Sequence, residues 1–231
     1  IAGIDSQVLS QITHSDQNWL YRNQIQCHVT QDGELGFMRA DNTGILPIKH
    51  CEIAMPGLNT LLDTIILDPE SGIKRVTFRE DSDGEYFVLL ESDEALPPEL
   101  TVELEVSAGY MDSKQNYHHL AGTDQLHYRI LDNDFTVSPG SFFQVNNAVC
   151  EELVKHVIDL AKDIAPHKVL ELYSGVGLFS AFLAPMVSQL IAIEILNAGI
   201  NSFFMGIGLY FRFLHGRQFV RILQFGSFPI F

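Results

Sequence analysis

The chain has 231 residues, enough for one large domain or two modest ones with a real core. Its hydrophobic content of 46% and charged content of 19% are those of a globular chain and exclude a disordered one. A formal net charge of -15 argues against affinity from a broad basic face, although a local patch for RNA is compatible with it. Three cysteines (Cys27, Cys51, Cys150) make no disulfide framework, and Ile1 to Gln11 lack a basic stretch followed by an apolar core. The expected setting is therefore a reducing cytoplasm. The absence of an initiator methionine suggests a chain that begins inside a longer protein.

In chain order, Asp32-Gly33 predicts a turn between short strands at Ile25 to Val29 and Leu35 to Met38. Leu58, Leu61, Leu62 and Ile65 predict a helix over Pro56 to Ile66. Strands are expected at Val76 to Phe78, Tyr86 to Leu90 and Val102 to Val106. Leu126 to Ile130 and Phe135 to Val137 flank Asp132-Asn133-Asp134, read as a hairpin turn. Asn146 or Asn147 can cap a helix running to about Ile164, with Val149, Leu153, Val157 and Leu160 on its apolar face, until Pro166 breaks it. Val169 to Tyr173 reads as a short buried strand, Gly175 to Gly177 as a tight loop, Phe179 to Leu183 as a helix, and Leu190 to Ile193 as a second buried strand. That order is the first βαβ unit of an open α/β sheet. After Glu194 there is no Asp or Glu, and about half of the 16 Phe follow Leu196. This tail reads as foreign to the fold; the alternatives are a buried or membrane-facing segment and an interaction tail. Asn201, Ser202 and Arg212 interrupt the roughly 20 apolar residues a membrane span needs.

The chemistry concentrates in Val169-Leu-Glu-Leu-Tyr-Ser-Gly-Val-Gly-Leu-Phe179 and Ile191-Ala-Ile-Glu194. Gly175 and Gly177 let backbone approach a ligand at the carboxyl end of the first strand, where open α/β sheets bind. Glu194 follows about 20 residues on, where a carboxylate can hold ribose hydroxyls. A dinucleotide fingerprint wants glycine where Ser180 stands, and Glu171 suits a cationic sulfonium better than a pyrophosphate. The competing reading is a tight turn with no ligand.

Upstream lies Ser138-Pro-Gly-Ser-Phe-Phe-Gln-Val-Asn146. Together with the glycine motif it resembles the RNA (uracil-5-)-methyltransferase family. Tyr21-Arg22-Asn23, Gly36-Phe37 and Cys51 continue the likeness, which covers about residues 18 to 195. The resemblance implies S-adenosyl-L-methionine as cofactor. Gln144 would meet its methionine end, Tyr173 would line the pocket, Gly175 and Gly177 would form the floor, and Glu194 would bind the ribose. The plainer readings are a capping amide for Gln144 and a core aromatic for Tyr173. Leu178 stands where the family often has Asn, which removes one polar contact.

Family members add a cysteine thiolate to C6 of uracil, transfer the sulfonium methyl to C5, and remove the C5 proton with a glutamate before the thiol leaves. The residues for this are expected after Glu194, where the chain has no cysteine and no acid. No catalytic residue is therefore assigned, and the chain is expected to be truncated at both ends. Cys27 and Cys150 read as core residues. Cys51 resembles the fourth ligand of an iron-sulfur cluster, or is simply buried; one cysteine holds no cluster, so no metal is assigned. As a remnant ligand it tilts the RNA substrate towards ribosomal rather than transfer RNA. The fold expected is α/β, a β-rich α+β central domain (1–131) followed by an incomplete Rossmann-like class I methyltransferase domain (132–196) and the Phe-rich tail (197–231). No membrane association is expected. The competing functional class is a non-catalytic RNA- or protein-binding module that keeps a methyltransferase-like cofactor pocket.

Overall fold

The structure is a computed structural model. It describes residues 12–95, 97 and 105–197, and the backbone of two further strands at 209–213 and 218–225. The chain from Gln24 to Ala121 forms a seven-stranded sheet with one helix. Its strands are β1 (Gln24–Val29), β2 (Leu35–Met38), β3 (Ile45–Pro47), β4 (Ile73–Glu80), β5 (Tyr86–Ser92), β6 (Ser107–Met111) and β7 (Tyr117–Ala121), with α1 (Pro56–Thr64) between β3 and β4. The spatial order is β3-β2-β1-β4-β5-β6-β7, and every neighbouring pair is antiparallel except β5 with β6.

Side chains alternate across a strand, so each strand feeds two layers. On one face Ile25, Cys27, Val76, Phe78, Val88, Leu90 and Tyr110 pack against Leu58, Leu61 and Leu62 of α1. On the other, Phe87, Leu89 and Met111 join a second core. That core includes the hairpin of β8 (Leu126–Ile130) and β9 (Asn133–Val137), and it continues into α2 (Asn147–Ile164) and α3 (Leu178–Leu183). Strand β5 is buried on both faces, which explains its unbroken run Phe87 to Leu90. In β8 only Leu126, Tyr128 and Ile130 turn inward, and His127 and Arg129 are exposed.

The last part is a four-stranded sheet of order β10-β11-β13-β12. Strands β10 (Lys168–Leu172) and β11 (Gln189–Asn197) are parallel, with α3 and a 3-10 turn (Ala184–Met186) between them. This is the expected βαβ unit.

Several sequence expectations need correction. Ile130 pairs with Asn133, so the hairpin turn is Leu131-Asp132, with Leu131 left-handed at φ 52°. The buried residues of α2 are Cys150, Val154 and Ala161; Val149, Leu153 and Leu160 lie exposed. The helix carries two adjacent apolar stripes, and the sequence marks neither as the inner one. Strand β10 is not buried throughout, since Leu170 and Leu172 are exposed. Strands β3, β6 and β7 were not foreseen. The strand expected at Val102 to Val106 lies mostly outside the described residues; Glu105 and Val106 are not strand, and β6 begins at Ser107. The tail is expected to be foreign to the fold, yet β12 (Leu209–Phe213) and β13 (Gln218–Phe225) pair antiparallel, and β13 pairs antiparallel with β11. Antiparallel pairing needs only a short return, whereas a further parallel strand needs a long crossover.

Candidate ligand site in the glycine loop

The chain leaves β10 through three left-handed residues, Tyr173 at φ 58°, Gly175 at φ 56° and Gly177 at φ 87°. Gly177 is also the residue before the first turn of α3, a placement without steric cost for glycine. A Cβ built at Gly175 would meet nothing within 4 Å, so its requirement is the backbone angle, and the space beside it is open. Tyr173 adopts its angle without glycine's freedom and is 82% exposed. It is not a core aromatic.

Two carboxylates flank this loop. Glu194 on β11 accepts a hydrogen bond from the Gly175 amide at 2.6 Å. β11 continues to Asn197, so Glu194 lies within the strand and not at its end. Glu171 on β10 accepts from Ser180 Oγ of α3, a residue with no exposure. Burial raises the Glu171 pKa, the Ser180 hydrogen bonds oppose this, and the Glu194 charge adds to it. In the same loop the Ser174 side chain is buried with its Oγ unpaired, while its amide donates to Ile193 O at 3.2 Å.

The other wall descends from β9. Val137 leads into Ser138–Ser141, then into exposed Phe142, buried Phe143 and half-buried Gln144. Phe143 shares its apolar cluster with Val176 and Leu178 of the glycine loop, which brings the two motifs together. Leu178 is buried there, so it offers core packing where an Asn would offer a polar contact. Asn146 caps α2 by accepting from the Val149 amide at 3.1 Å.

Sequence reasoning missed what holds this wall. Asn23 donates its Nδ2 to Gln144 O at 3.1 Å and to Asn147 Oδ1 at 2.8 Å, and its amide donates to Val145 O. Its own carbonyl accepts from the Glu80 amide of β4. The available signal was the Tyr21-Arg22-Asn23 triplet, whose role is to fasten one motif to the other.

The cysteines stand apart from the loop chemistry. Cys27, Cys51 and Cys150 are buried. Burial pushes Cys150 up to about 12, with Glu151 adding to it, and burial beside Cys51 does the same to Cys27. The Cys51 amide and carbonyl are both bonded to Asn59. Among the described residues no group of three or more His, Cys, Asp or Glu could hold a metal. No helix among them is long and apolar enough to cross a membrane.

Residues 112–210 match the family model described as tRNA (Uracil-5-)-methyltransferase. The match runs past Glu194 into the Phe-rich tail. An RNA methyltransferase of Nanoarchaeum equitans, itself uncharacterized, is 33% identical over 142 residues, covering 58% of this chain and 32% of that protein. The 23S rRNA (uracil(1939)-C(5))-methyltransferase RlmD of Shewanella sediminis is 29% identical over 195 residues, covering 77% of this chain and 44% of that protein. Among solved structures, the Pyrococcus abyssi tRNA (uracil-54, C5)-methyltransferase in complex with S-adenosyl-L-homocysteine superposes with a TM-score of 0.61 at 24% identity. It covers 75% of this chain and 48% of that one, and the likeness is one of fold. The chain thus spans less than half the length of each of these proteins.

Proposed function

The chain belongs to the RNA uracil-5-methyltransferase family, and from that premise we propose that its glycine loop holds S-adenosyl-L-methionine for the formation of 5-methyluridine in RNA. The observation that carries this reading is the left-handed Gly175–Gly177 loop with the Glu194 carboxylate at its first amide. Open space at Gly175 and the unpaired buried Ser174 Oγ suit a polar ligand at this point. When bound, the cofactor supplies an electrophilic methyl group on a sulfonium sulfur. Glu194 accepts from the ribose hydroxyls, Gly175 and Gly177 form the floor, Tyr173 covers one side, and Gln144 meets the methionine end. In this reading residues 1–131 are the central RNA-methyltransferase-like unit and 132–196 the front of the cofactor unit, working in the cytoplasm.

Ribosomal RNA is the proposed substrate, on the strength of the Cys51 motif and the ribosomal relatives. Cys27 and Cys150 are unsuited to act as the nucleophile towards C6, because the reactive form is the thiolate and burial raises the pKa of both thiols. The test is retention of unmodified ribosomal and transfer RNA by the chain, alongside incubation with methyl-labelled cofactor. Tighter retention of ribosomal RNA without label transfer is expected. Tighter retention of transfer RNA reverses the substrate assignment. Labelled 5-methyluridine that disappears on Cys150→Ala overturns the reading of the thiols.

A further inference from the structure

Arg79 lies on β4 at 1% exposure, on the face of the seven-stranded sheet opposite Val76 and Phe78. Backbone carbonyls meet its guanidinium. Nη1 donates to Pro139 O and Ser141 O at 2.9 Å each and reaches Ser138 O at 3.5 Å. The same cation stands 5.6 Å from the centre of the Tyr128 ring, which stacks on Phe143 at 4.5 Å and 21°. Arg79 thus grips the loop Ser138–Ser141 through its carbonyls and, through Tyr128, the aromatic residue next to Gln144.

A buried cation is costly unless its surroundings replace water. Among the described residues Arg79 makes no ion pair with a carboxylate. Apolar packing would close the space between sheet and hairpin without that cost. What Arg79 supplies instead is a buried donor, Nη1, on which the carbonyls of Ser138, Pro139 and Ser141 converge, and this fixes the path of an otherwise irregular loop. We propose that Arg79 is a positioning residue for the segment carrying Gln144, so that cofactor affinity in the α/β part is set by a side chain of the β-rich part. A binding group held in place before the ligand arrives spares the ordering cost on binding. Asn23 provides the second fastening on the same segment, at Gln144 O and Val145 O.

This inference rests on the cofactor reading above. Its test uses the full chain, S-adenosylhomocysteine as probe, and the variants Arg79→Lys and Arg79→Gln. A variant that folds should bind the probe at least about tenfold more weakly. Amide exchange across residues 141–145 should quicken, while β10 and β11 exchange as before. Affinity within about twofold of wild type in a folded variant would overturn the proposal, since a purely structural arginine changes stability and leaves binding alone. The wild-type chain gives an independent check if both variants fail to fold. Its Ser141 amide, bonded to Ser138 O, should exchange in the absence of cofactor about as slowly as amides of β4. Exchange at the rate of a free loop would mean that the clamp does not hold. A wild-type chain without affinity for the probe fails the functional reading itself, and the inference with it.

Discussion

Glu194 is the side chain on which the cofactor reading bears most directly. It accepts a hydrogen bond from the Gly175 amide at 2.6 Å, near the surface. Glu194→Ala should weaken S-adenosylhomocysteine binding by roughly 1.5–3 kcal/mol for each ribose hydrogen bond lost. Calorimetry reads that loss directly, and an unchanged affinity would place the ribose elsewhere. Glu171 behaves differently. Burial holds its folded pKa above the ordinary value of 4.5. A carboxyl with a raised folded pKa stabilises the fold fully below its unfolded pKa, and that contribution is lost as pH rises through the folded pKa. Glu171→Gln should therefore be at least as stable as wild type at pH 7, with the advantage shrinking as pH falls towards 4. A thermal melt series in pH checks this, and a variant less stable at pH 7 and equal at pH 4 would reverse the sign. Cys150, held at about 12, should resist thiol reagents at pH 8 until denaturant opens the core.

At the scale of elements, α2 separates what the sequence reveals from what it conceals. Its start was legible because Asn146 supplies a side-chain acceptor, and its end because Pro166 follows a left-handed Ala165. Its inner face was not legible, because apolar residues occupy two neighbouring stripes and only the packing of β8 and α3 selects one. Val154→Ala, at a site with no exposure, should cost about 1.5–3 kcal/mol in denaturant unfolding. Leu160→Gln, 46% exposed, should stay within about 0.5 kcal/mol. Equal costs would mean that the stripes are assigned the wrong way round. The β8–β9 turn shows the same limit: the polar run Asp132-Asn133-Asp134 announced a reversal, but the ladder from Leu126 to Ile130 set its register. Strands β6 and β7 were missed because Gly109 and the histidines 118 and 119 blur the period of two.

At the scale of the whole molecule, one apolar core joins Phe87, Leu89 and Met111 of the large sheet to Val154, Val176 and Leu178 of the α/β part. The expected boundary after Leu131 falls in the turn of the β8–β9 hairpin, whose two strands share that core. The glycine loop, Glu194 and the segment around Gln144 were legible because each rests on a local motif. The grip of Asn23 and Arg79 was not, since it joins residues more than fifty positions apart and no local period records such a contact. The ligand proposed for this glycine loop is S-adenosylmethionine and not a dinucleotide. Isothermal calorimetry of the chain against S-adenosylhomocysteine and NADH, with wild type and Glu194→Ala side by side, tests that claim most directly. Saturable binding of S-adenosylhomocysteine that Glu194→Ala weakens is expected, with weaker or absent binding of NADH. NADH bound more tightly than S-adenosylhomocysteine by the wild-type chain would contradict it.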